Sequence, residues 1–398
     1  MSLNLDKTTW KRVRLGDVIR RSRTQVDPAN GEVDRYVGGG HIDSGSLTVE
    51  RFGDVDDGQI GSTFTYLFQP GQILFVSARP YLRKSGVANF SGVVADKTYV
   101  LDAVLENGLL QEFLPFILAS DHFIAFATSE ATGSMNPRLL WGQMQRYEFD
   151  LPPLDEQQRL AALLWALESH RVELDGQISV IEDALQSFLA DSFHQAAPGP
   201  QAKIADLCTD VIGGIWGSPE GEGEVDVLAL GPRVYADGAT QLSTDGSPVR
   251  SVSRRQAEMR LVRDGDIILE RSGGSPSQPV GRVVIAHGEL APCIPTDFQR
   301  LLRPNREFVE PRFLFWRLRH DWAVGVTRNY AKKTTNITNL SVKDYIVRSI
   351  AVPSIAAQTH MLGRVTSFED TLTSVAQEKS KLDVLRRSLH DEVFGDAR

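Results

Sequence analysis

The sequence predicts a duplicated protein of mixed α/β (α+β) class: two tandem globular units separated by a long antiparallel two-helix coiled coil, with approximate twofold symmetry. Three observations carry this. The chain repeats itself at an offset of 200 residues, each copy begins with short strand and turn patterns, and each ends in an apolar seam of period 3.5.

Residues 1–152 are the first unit. Short apolar runs behind turn residues, such as Pro70-Gly71-Gln72 leading into Ile73–Val76, are the pattern of strands punctuated by glycine and proline. Residues 153–195 are the first spacer helix. The prolines of Leu151-Pro152-Pro153 cannot lie inside a helix, and Asp155 and Glu156 suit its first turn. The seam runs through Leu160, Leu164, Leu167, Arg171, Leu174, Ile178, Ile181, Leu185 and Phe188, in alternating steps of four and three residues. Residues 196–352 repeat the plan, with Asp264-Gly265-Asp266 opening the apolar stretch 267–269. The second helix, 353–398, follows Val352-Pro353, and its seam is Met361, Val365, Phe368, Leu372, Val375, Lys379, Leu382, Arg386, Leu389 and Val393. A period of 3.5 kept over more than four heptads marks a coiled coil, since a period of 3.6 drifts off the stripe. Gapless pairing of the copies matches Phe113 with Phe313, Leu118 with Leu318, Leu140 with Leu340, Pro153 with Pro353 and Gln158 with Gln358. Antiparallel pairing would hold the two units at opposite ends of a rod about 60 Å long, at roughly 1.5 Å per residue.

With 41% hydrophobic and 24% charged residues, the 398-residue chain can bury cores, which excludes disorder as its main state. Its apolar runs fall far short of the roughly 20 residues of a membrane span. No basic then apolar leader opens the sequence, so a cytoplasmic protein without a membrane partner is expected. Cys208 and Cys293 form neither a disulfide framework nor a CxxC pair. The net charge of -8 argues against unspecific coating of DNA. That charge is uneven: residues 151–200 hold two basic against eight acidic residues, whereas 201–350 hold 20 basic against 18 acidic.

Two similar heads on a fixed spacer suit the reading of duplex DNA, whose half-sites on one face lie about 34–36 Å apart per helical turn. Candidate contacts cluster in turn-rich loops. The first unit offers Arg79, Tyr81, Arg83 and Lys84 behind an apolar strand, then Ser134, Asn136 and Arg138. The second offers Arg271, Ser275, Gln278 and Arg282 at the aligned place, then Lys332, Lys333, Thr334, Thr335 and Asn336. Arginine pairs with guanine, Asn and Gln with adenine, and Lys, Ser and Thr grip phosphate, so these loops hold both readout and positioning groups. Gly38-Gly39-Gly40-His41 and Gly213-Gly214-Ile215-Trp216-Gly217 lack the GxGxxG order and are taken as turns. Catalytic patterns are absent. There is no Gly-Lys dipeptide for a Walker A loop, no acidic residue two positions before any lysine, and no Asn-Pro-Pro-aromatic or Asp-Pro-Pro-aromatic tetrapeptide. The eight histidines and two cysteines show no metal-ligand spacing. The other reading of the same plan is a coiled-coil scaffold that joins two proteins through its heads and touches no DNA.

The chain resembles the specificity subunits of type I restriction-modification systems. The resemblance rests on Leu151-Pro152-Pro153-Leu154-Asp155-Glu156-Gln157-Gln158-Arg159-Leu160 opening a long helix, on Gly71-Gln72-Ile73-Leu74-Phe75 with Arg79-Pro80-Tyr81-Leu82-Arg83-Lys84, and on Thr334-Thr335-Asn336-Ile337-Thr338-Asn339-Leu340. The second copy reads Val352-Pro353-Ser354-Ile355-Ala356-Ala357-Gln358, one proline and the acidic pair short. The resemblance implies two target-recognition domains, each reading one half of a split asymmetric site, and helices that set the gap. It implies a chain without catalysis or cofactor of its own. Two methyltransferase subunits would dock on the helices and methylate adenine with S-adenosylmethionine, and motor-nuclease (restriction) subunits using ATP and Mg would be further partners.

Overall fold

The computed structural model describes residues 5–275, 278–333 and 337–395. The chain divides into two compact units, Met1–Gln177 with Val375–Arg398, and Ile178–Ser374. The sequence division sets the helices apart from the globular segments, whereas each compact unit takes in half of both helices.

In the first unit a five-stranded sheet has the order Ile19–Ser22, Thr98–Ala103, Ile73–Val76, Ser85–Ala88, Thr48–Val49. Its central strands are buried on both faces, because successive side chains point to opposite sides of a sheet. Ile73, Phe75, Tyr99 and Leu101 enter a core with Phe113, Phe116, Leu160, Leu164, Leu389 and Val393. Leu74 and Val100 enter the opposite core with Val37, Phe68 and Val94. That second core is closed by a sheet in which Arg35–Val37 runs parallel to Gly92–Ala95.

The second unit repeats this frame. Its four-stranded sheet has the order Cys208–Gly213, Gln299–Pro304, Ile267–Glu270, Val283–Ile285. Ile267, Leu269 and Leu302 face one core with Phe313, Trp316 and Val365, while Ile268 and Leu301 face another. Val225–Leu230 runs parallel to Cys293–Pro295, as the matching pair does in the first unit.

The long helices span Leu154–Ala196 and Ile355–Phe394. A buried glutamine pins the start of each. Gln157 Nε2 donates to Gly108 O and Pro152 O at 2.7 Å each, and its Oε1 accepts from Leu110 N at 2.9 Å. Gln358 donates to Pro353 O and accepts from Glu310 N, both at 2.8 Å. These bonds correct the repeat register. Gln157, not Gln158, answers Gln358, and Leu139, not Leu140, answers Leu340, since Leu139 N donates to Ser77 O and Leu340 N to Arg271 O. Upstream, Phe113 and Phe313 keep the offset of 200, each meeting the last aromatic of a long helix, Phe394 and Phe193 respectively. One extra residue in the second copy therefore lies between these stretches, and gapless pairing cannot accommodate it.

Every seam residue is buried or half-buried. Within the first unit the helices pair antiparallel and the seam is partly ionic. Arg171 grips Glu168 (Nη2 to Oε1, 2.6 Å) and Asp175 (3.2 Å), Arg386 reaches Glu168 at 3.3 Å, and Lys379 pairs with Asp175. Within the second unit the seam is apolar, with Phe188 and Phe368 rings 5.9 Å apart. His390, packed between Phe116 and Phe394, has its pKa pushed down to about 4 by burial, with Arg386 adding to the shift. The unfolded chain binds this proton near pH 6.5 and the folded one does not, so His390 adds stability above that pH that is lost as pH falls toward 4. The urea midpoint is expected to fall between pH 7 and pH 5, and the fall should shrink in His390→Leu.

Candidate nucleic-acid interface

The structure brings the two candidate loops of each unit side by side at equivalent places. In the first unit, Ile73–Val76 and Ser85–Ala88 form a hairpin, and the connection 77–84 lies against residues 131–138. Ala78 and Thr132 each form a bridge with Arg138, and Arg79 N donates to Pro137 O at 2.7 Å. In the second unit, Ile267–Glu270 and Val283–Ile285 form the hairpin. Its connection contributes Ser272–Gly274 to a small sheet with Thr338–Leu340 and Ala331–Lys333.

Individual positions differ in their surroundings. Arg138 is spent inside the protein, donating to Ser77 Oγ (3.0 Å), Asp96 Oδ2 (3.2 Å) and Asp96 O (2.7 Å). Arg83 is held by Asp121 and by Ala119 O, and Lys84 by Gly39 O. Arg282, 13% exposed, makes a two-pronged ion pair with buried Glu270 and lies over Tyr235. These four cations brace the loops, because each sits within reach of an internal carboxylate or carbonyl that sequence does not place. Ser275 and Gln278 close a tight turn on each other, with Ser275 N donating to Gln278 O at 2.8 Å. Lys332 pairs with Asp344 at 3.4 Å while remaining largely exposed. Arg79, Tyr81, Ser134, Asn136, Gln278 and Lys333 face solvent. Thr334, Thr335 and Asn336 lie outside the described residues.

Arg79 has a further mark. It and Arg83 flank the turn Pro80–Leu82 with φ of 51° and 52°, the positive-φ residues other than glycine among those described. Side chains adopt that region at a cost of order 1–3 kcal/mol, and such residues gather at functional sites. Here the strain projects an exposed arginine from a turn braced on both sides.

Sequence reasoning passed over another group. Arg20-Arg21-Ser22-Arg23 is a basic run, disguised because it ends an edge strand. Arg21 lies 4.3 Å over the Tyr99 ring and 5.7 Å from that of Tyr66, and its Nε is buried without a partner. Burial, reinforced by the charges of Arg23 and Arg138, pushes its pKa down against the pull of Tyr99. In the second unit Arg300, on the strand equivalent to that of Tyr99, has its pKa pushed down by burial and then by Arg271. Among the described residues neither Arg21 nor Arg300 forms an ion pair with a carboxylate. Like charges held together with little counter-charge, only Asp297 acting on Arg300 and no carboxylate on Arg21, suit a polyanion. The two thiols suit no nucleophilic chemistry: burial pushes Cys208 up to about 12 and Cys293 up to about 11, so both stay protonated. No cluster of metal-ligating side chains occurs among the described residues.

Residues 7–182 match the family model for the type I restriction modification DNA specificity domain. A curated Escherichia coli protein, the type I restriction enzyme EcoDI specificity subunit, is 20% identical over 191 residues, covering 47% of this chain. The chain spans less than half of that relative, 41% of its length. A solved chain from a study of complex assembly and conformational transition of the type I R-M system is similar over 98% of this chain and 99% of its own, with 21% identity and a TM-score of 0.59. The type I restriction-modification S subunit from M. genitalium is similar over the whole of both chains, with 14% identity and the same TM-score. At these identities the likeness to the solved chains is one of fold.

Proposed function

We propose that the chain is a specificity subunit of a type I restriction-modification system, as the specificity-domain match at residues 7–182 and the fold shared along the whole chain support, and that each of its two units reads one half of a split, asymmetric DNA site. The observation that carries this reading is the recurrence, at one edge of both central sheets, of the same two loops beside arginines without carboxylate partners. Arg21, Arg23 and Arg79 in the first unit, and Arg271, Arg300 and Lys333 in the second, are the groups for phosphate and base edges. The internally bonded Arg83, Lys84, Arg138 and Arg282 hold those loops in shape.

The chain supplies sequence choice and no chemistry. Transfer of methyl groups from S-adenosylmethionine to adenine belongs to two methyltransferase subunits docked on the long helices, and ATP- and Mg-dependent cleavage to restriction subunits. The helices set the gap between the two half-sites. Mapping methylated adenines across host DNA with and without this chain tests the reading. One bipartite motif is expected to lose its methylation when the chain is removed, and an unchanged pattern would falsify the proposal.

A further inference from the structure

The glycine-rich stretch 213–217 is built too tightly to be a passive turn. A methyl group on Gly214 would come within 2.0 Å of Thr296 O, and one on Gly217, whose φ is 76°, within 2.8 Å of Ser251 O. Backbone bonds tie the stretch down on both sides: Ile215 N donates to Pro295 O at 3.0 Å, and Ser218 and Ser251 exchange a pair at 2.8 and 3.0 Å. Arg260 Nε adds a bond to Gly213 O at 2.8 Å. The product of this clamping is Trp216, 42% exposed, whereas the other five tryptophans are buried or half-buried.

Arg250 completes the arrangement. Its guanidinium lies 4.9 Å from the Trp216 ring centroid, with Nε bonded to Trp216 O (3.4 Å) and Nη2 to Gly217 O (3.2 Å). Nη1 keeps no partner among the described residues. The strand that Gly214 N meets at Gln299 O (3.4 Å) follows Phe298, also 42% exposed, whose carbonyl accepts from Arg271 N, and carries Arg300, which forms no ion pair among the described residues and whose guanidinium carbon would lie 3.7 Å from a methyl on Gly213. A solvated indole costs free energy unless something covers it, and a locked backbone has already met the entropic cost of presenting it. An apolar face set among cations matches a base edge, such as a thymine methyl group, flanked by phosphates.

We propose that Trp216, held under Arg250, contacts a base within the half-site read by the second unit and helps to set its sequence. This rests on the DNA-reading role proposed above. The test uses the full chain with its methyltransferase partner on DNA carrying the mapped site, with footprints taken over both half-sites. Trp216→Ala is expected to weaken protection of one half-site about 10-fold, the scale of a single lost base contact in a duplex site, and to leave the other half unchanged. Trp216→Phe should restore most of that protection. Equal protection of both halves by Trp216→Ala would overturn the inference while leaving the DNA-reading role intact, as would an equal weakening on both halves and on scrambled DNA. Absence of any bipartite footprint with the unsubstituted chain would overturn both.

Discussion

Alanine at Arg21, Arg23 and Arg79 together is expected to abolish recognition of one half-site while the second stays protected. If each cation contributes about 1 kcal/mol or more toward phosphate or base, affinity falls by roughly two powers of ten. The logarithmic dependence on salt should become shallower by about one for each phosphate no longer gripped. Arg79 is exposed and Arg21 has no carboxylate partner to strand, so the cost to the fold is confined to the packing of Arg21 over Tyr99. The contrasting triple, Arg83, Lys84 and Arg138, removes bonds to Asp121, Ala119, Gly39, Ser77 and Asp96. It is expected to lower the unfolding midpoint as well. Anisotropy titrations over a salt series, beside thermal unfolding, separate the two. Full affinity in the first triple would place the DNA-binding groups elsewhere.

Glu168→Ala is expected to cost about 3 kcal/mol, because the side chain is 2% exposed and its removal leaves Arg386 without a carboxylate and Arg171 with Asp175 alone. Replacing Glu168, Arg171 and Arg386 together by leucine should be close to neutral or stabilising, since an apolar layer avoids the desolvation of three charges. Urea unfolding of the single and triple variants decides it, and a Glu168→Ala midpoint near that of the unsubstituted chain would show the network to be solvated. In coiled coils such buried polar positions characteristically specify register at the expense of stability.

The long helices were legible because a period of 3.5 and proline-marked starts are local signals. Arg171, Lys379 and Arg386 were legible as seam positions. Their tolerance there was not, as it depends on Glu168 and Asp175 reaching the same layer. The duplication was legible down to the strand turns, yet one inserted residue shifted half the pairings and hid the equivalence of Gln157 and Gln358. The loops stood out by composition, but composition does not distinguish a cation facing solvent from one facing Asp96, Asp121 or Glu270. Those pairings come from residues 12 to 42 positions away in sequence, brought close only by the sheets. Arg21 was missed for the opposite reason, since a basic run at the end of an edge strand looks like an ordinary solvated face.

The core of the first unit includes Leu389 and Val393, more than two hundred residues beyond its other members. During translation at about 5–20 residues per second, that unit emerges first and waits with an unfilled slot against Phe113 and Phe116. The later unit, Ile178–Ser374, has all its parts sooner. The order of synthesis and the order of completion are therefore reversed, and a ribosome stalled shortly before residue 389 would leave the earlier half sticky.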